Sequence, residues 1–119
     1  MLDLNLSRRA IAAGWRWAPG SLVWGGDRVT EDTLGIAHGV VPDFDDDGTR
    51  GVLLGQVRER WDCPDLHTRP QYDHRGNVTH WQVLVPRKEL HPHGWKCFEG
   101  PTETAALVTA MEAAPKEKG

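Results

Sequence analysis

The run His80-Trp81-Gln82-Val83-Leu84-Val85, closed by Pro86, limits the fold more than any other segment. Aromatic and β-branched residues suit a pleated, half-buried surface, and proline cannot continue a strand ladder. A partner is supplied by Trp95-Lys96-Cys97-Phe98. Around these strands the hydrophobic period changes from two to about 3.6. Leu53, Leu54, Val57 and Trp61 recur at the spacing of one buried helical face, and so do Leu107, Ala110, Met111 and Ala114.

The boundaries are marked by residues with a physical reason to sit there. Residues 4–13 read as a short helix with Asn5 or Ser7 as first-turn caps and Gly14 as its stop. Leu22-Val23-Trp24 and Arg28-Val29-Thr30 flank Gly25-Gly26-Asp27 as a hairpin, and Leu34 to Val41, ended by Pro42, reads as a third strand. Pro64, Pro70 and Gly76 punctuate the stretch before His80. Thr102 is placed to cap the last helix, Glu103 suits its first turn, and Pro115 closes it. The order helix, strands, helix, strands, helix predicts an α+β domain with an antiparallel or mixed sheet flanked by helices. At 119 residues the expectation is a single domain, 1–119, with a frayed tail at 115–119.

Composition excludes several classes. With 39% hydrophobic and 26% charged residues the chain is an ordinary globular one, and no stretch approaches the ~20 apolar residues that span a bilayer. No secretory signal opens the sequence, so the expected address is the cytoplasm, with Cys63 and Cys97 as free thiols. A formal charge of −3 with dispersed Lys and Arg argues against direct nucleic-acid binding. Six tryptophans are the compositional oddity.

Three segments together carry a resemblance: Ala13-Gly14-Trp15-Arg16-Trp17-Ala18-Pro19-Gly20, the Asp-rich run leading into Gly51-Val52-Leu53-Leu54-Gly55-Gln56-Val57-Arg58-Glu59, and Gly100-Pro101-Thr102-Glu103-Thr104-Ala105-Ala106-Leu107. They resemble the small phage and prophage proteins of the phage ABA-sandwich family, in which a sheet lies between helices. The resemblance implies a fold and transfers no functional residue. By analogy with anti-CRISPR proteins, it implies a non-catalytic inhibitor that blocks a host defence protein or effector complex in the host-cell cytoplasm.

Candidate chemistry is incomplete at each place it begins. Asp43-Phe44-Asp45-Asp46-Asp47-Gly48 matches the first half of a calcium loop, but position twelve would be Leu54 where a bidentate Glu is needed. Carboxylates gathered at a helix N-terminus are the simpler reading. Cys63-x3-His67 and His93-x3-Cys97 suggest zinc, the alternative function being a small zinc-binding accessory domain built on Cys63, His67, His91, His93 and Cys97. On one strand, however, His93 and Cys97 would stand ~13 Å apart. His91 and His93 with His80 or His74 form a second possible set. Neither Ser7 nor Ser21 sits in a nucleophile elbow, and no glycine-rich phosphate loop occurs. The expectation is therefore no catalytic residue, no bound metal and no cofactor. Partner contacts fall to Trp15 and Trp17, with Asp43, Asp45, Asp46 and Asp47 as the charged part of the surface.

Overall fold

The computed structural model describes residues 4–33, 41–86 and 96–114. Among the described residues, three helices and three strands follow in the order α1 (Leu4–Ala12), α2 (Asp47–Trp61), β1 (His67–Tyr72), β2 (Val78–Val85), β3 (Lys96–Gly100) and α3 (Glu103–Ala113). This is an α+β chain with an antiparallel sheet. It divides into two compact units, Met1–Gln56 and Val57–Gly119, and the boundary falls within α2. The strand read at Leu34–Val41 lies, but for Val41, outside the described residues, as do His91, His93 and the tail at 115–119.

In the first unit α1 buries Leu6, Ser7 and Ala10, one stripe at helical spacing. Ser7 is inside the helix and does not cap it: its hydroxyl donates to the Pro42 carbonyl at 3.0 Å. The helix ends as the sequence predicts. Gly14, at φ 108°, donates to the Ile11 carbonyl while Trp15 N–H returns to Ala10, a left-handed termination that satisfies the last carbonyls. The expected hairpin is reduced to one isolated bridge, Leu22 with Arg28, while Val23 bridges to Pro42 outside it. Gly26 N–H returns to the Val23 carbonyl, closing a tight turn over Trp24-Gly25.

Helix α2 carries a buried stripe of Thr49, Leu53, Gln56, Val57 and Trp61, the expected register with Leu54 at its margin. It ends like α1, with Asp62 at φ 49° in the position glycine usually takes. Cys63 N–H then bonds the Arg58 carbonyl and Asp62 N–H that of Glu59.

In the second unit β2 is the central strand, antiparallel to β1 on one side and β3 on the other. Strand β1 contains Pro70, opposite Trp81. Proline is tolerated there because, among the described strands, β1 has only one neighbour. Helix α3 packs on the sheet with Thr104 to Val108, Ala110 and Met111 buried. Its small side chains permit the approach. A Cβ on Gly100 would lie 2.6 Å from the Ala106 nitrogen. Thr102 caps the helix by accepting from Ala105 N–H, and Trp61 ties onto it by donating from Nε1 to the Ala110 carbonyl at 2.9 Å.

Candidate functional site

The acidic run is folded into the start of α2. Asp46, the residue before the helix, accepts from both the backbone N–H and the hydroxyl of Thr49 at 2.9 Å, so its carboxylate caps the first turn. Arg28 reaches the same carboxylate and also donates to the Gly20 carbonyl. The Arg28 hydrogen bonds are the largest cause that holds the Asp46 carboxyl far below the usual range, with the Thr49 donors adding to it. Thr49 Oγ1 in turn accepts from Leu22 N–H at 2.7 Å. Asp47 pairs with Arg50 across one helical turn, and Asp43 accepts from Asp45 N–H in a local turn. Of the four carboxylates, Asp46 is thus bound inward, while Asp45 and Asp47 lie exposed.

The two tryptophans read as a contact pair are placed differently from one another. Trp15 is buried, 7% exposed, edge-on to Phe44 at 5.2 Å and to Trp17 at 5.9 Å. Its indole nitrogen is buried and has no hydrogen-bond partner. Trp17 is half-buried. Burial makes Trp15 part of the packing that carries the acidic run, through Phe44, and leaves it little surface of its own.

Among the described aromatics of the first unit, the exposed one is Trp24, at 51%. It was hidden in the sequence by its place in an expected strand; the signal was Gly25-Gly26 directly after it, a turn that cannot bury a large neighbour. Its backbone is fixed on several sides. Trp24 N–H donates to the Val41 carbonyl, Val23 N–H to Asp27, Gly26 N–H to Val23, and Asp43 N–H to Leu22. The Trp24 turn and the stem of the acidic run are therefore hydrogen-bonded to each other. The segments 24–32 and 43–47 hold Asp27, Glu31, Asp32, Asp43, Asp45, Asp46 and Asp47 against the single cation Arg28.

Of the residues considered for metal, the described ones Cys63, His67 and Cys97 lie on separate segments. Cys63 is buried in the termination of α2, and His67 is exposed at the start of β1 with Nδ1 2.9 Å from the Asp65 carbonyl. Cys97 lies on β3 opposite Leu84. Among the described residues no three His, Cys, Asp or Glu side chains gather closely enough to hold an ion. Both cysteines are free thiols. For nucleophilic chemistry the hydroxyls of Ser7 and Ser21 are spent on the carbonyls of Pro42 and Ala18. Burial pushes the Cys97 thiol up, with Glu99 adding to the effect and Arg69 opposing it, the reverse of what an attacking thiolate needs.

No family model, no curated protein and no solved structure matches the chain. No described helix is long and apolar enough to cross a membrane.

Proposed function

We propose that this protein works by contact without catalysis, presenting Trp24 and the acidic segments beside it to a partner whose surface is basic. The single observation that supports this most is the exposure of Trp24 on a turn held by backbone hydrogen bonds. A large aromatic whose backbone is already fixed loses less freedom on binding, and such residues dominate interface energies. The surrounding carboxylates would steer the encounter and select against acidic surfaces.

A basic surface of this kind is what a nucleic-acid-handling protein offers. With the resemblance to phage ABA-sandwich proteins, the reading becomes an inhibitor that occupies the nucleic-acid groove of a bacterial defence component. The acidic run supplies the charge and Trp24 the anchor; Trp15, Trp17 and Phe44 support them from within. Capture from a bacterial lysate on the immobilised protein, read by mass spectrometry, tests this. Recovery of a defence nuclease or effector subunit is expected, and recovery of metabolic enzymes alone counts against it.

A further inference from the structure

The loop that carries Trp24 meets the acidic run in a short antiparallel contact, and its register fixes what lies on each side. Val23 pairs with Pro42, Trp24 N–H donates to the Val41 carbonyl, and Asp43 N–H donates to that of Leu22. These two bonds flank the Val23–Pro42 pair, so the proline stands where no backbone N–H is required. Side chains alternate across such a contact. Val23 and Pro42 take one side, with Pro42 fully buried; Trp24 and Asp43 take the other, where Trp24 is exposed. Diagonal neighbours of this kind stand about 7–8 Å apart, within reach of one long side chain. Gly25, at φ 73°, completes the turn that holds the Trp24 backbone.

The charge around the indole is not cancelled internally. Arg28, the cation of this loop, is already held by both carboxylate oxygens of Asp46, and Arg50 pairs with Asp47. Asp27, Glu31 and Asp32 are exposed, and among the described residues none of the three forms an ion pair. Asp43 Oδ1 accepts from Asp45 N–H, which orients that carboxylate without neutralising it. With the two pairs set aside, Asp27, Glu31, Asp32 and Asp43 leave the surroundings of Trp24 net negative.

We infer that this surface selects arginine over lysine: its occupant is a protein segment whose arginine lays its guanidinium on the Trp24 indole and turns the edge of that group to Asp43. The inference rests on the reading of Trp24 as the anchor for a basic partner, and it names the group that is gripped. An ammonium is a compact, strongly hydrated charge that must shed water to sit on an aromatic face. A guanidinium is planar and more weakly hydrated; it stacks by its face and keeps its N–H donors for a carboxylate at its edge. Carboxylates without the ring would hold either cation alike, and the negative charge repels a phosphate backbone.

The test is amide and indole NMR on the full chain, titrated with an octapeptide of three Arg among Gly and Ser, with its Lys counterpart and with its Glu counterpart. The Arg peptide should shift the Trp24 indole and amides within 22–28 and 41–47. Its own δ-methylene protons should move upfield in the ring current, and it should bind about fivefold more tightly than the Lys peptide at equal salt. Trp24→Leu should remove that preference, leaving weak, salt-screened binding of both basic peptides, and Asp43→Asn should narrow it. Equal affinity for the Arg and Lys peptides, or a preference that survives Trp24→Leu, would overturn the inference and leave the basic-partner reading standing. No shift near Trp24 with either basic peptide at millimolar concentration, or shifts there with the Glu peptide, would overturn both.

Discussion

Arg28 grips both carboxylate oxygens of Asp46, each at 2.8 Å, while Thr49 donates twice to one of them. This one carboxylate fastens the 20–28 loop to the first turn of α2 and caps the helix. Because its pKa is lowered on folding, the stabilisation it gives is complete above the ordinary carboxylate range. It is lost as pH falls below about 4 towards the depressed folded value. Asp46→Ala should cost about 1 kcal/mol at pH 7, the ordinary worth of a cap, and the variant's melting temperature should depend less on pH between about 5 and 2. Thermal melts across that range check it.

Glycine substitutions separate the two kinds of helix contact. At Gly51 and Gly55, both inside α2, a Cβ would meet nothing within 4 Å. Alanine at either should stabilise the protein by about 0.5–1 kcal/mol, by lowering unfolded-chain entropy. Gly100→Ala should do the opposite, since its Cβ would lie 2.8 Å from the Ala105 Cβ, and chemical denaturation should show a clear loss.

Trp15 offers a sharper comparison. Trp15→Ala should cost about 3–5 kcal/mol, as buried aromatics do. Trp15→Phe should cost much less than Trp15→Ala, because it keeps an aromatic ring in the site while removing an indole N–H that is buried without an acceptor. Equal losses in the two variants, measured by urea denaturation, would show that the ring's full size matters more than its stranded donor.

Metal content distinguishes the zinc alternative. Elemental analysis of the purified protein is expected to find no stoichiometric metal, and chelator should leave its melting curve unchanged. About one zinc per chain with loss of structure on chelation would favour the domain built on Cys63, His67, His91, His93 and Cys97.

Much of the fold was legible because the signals were local. Thr102 caps α3 where its sequence places it, Gly14 ends α1, and the period of Leu53, Val57 and Trp61 gives the buried stripe of α2. Strand β1 was not legible, since Pro64, Pro70 and Gly76 read as punctuation. Pro70 is accommodated by the strand's place in the sheet, and sheet order is set by contacts distant in sequence. The candidate site was legible in part. Carboxylates at the start of α2 follow from the sequence, but the Arg28 pairing spans 18 residues and leaves no local trace. Burial of Trp15 and exposure of Trp24 could not be separated by residue type alone; packing against Phe44 decides the first and the Gly25-Gly26 turn the second.

The charge in the proposed interface has its own signature. Asp43→Asn with Asp45→Asn should leave the melting temperature within about 2 °C, given that exposed charges near a helix start are worth a few tenths of a kcal/mol. Association with the captured partner should slow and lose salt dependence, as measured by surface plasmon resonance.

The central claim is tested most directly by repeating the lysate capture with Trp24→Ala beside the unaltered protein, with thermal melts of both. The account predicts that the variant melts normally and loses the captured partner, with affinity reduced by about tenfold or more. Capture of the same partner at the same strength by a folded Trp24→Ala protein would contradict it.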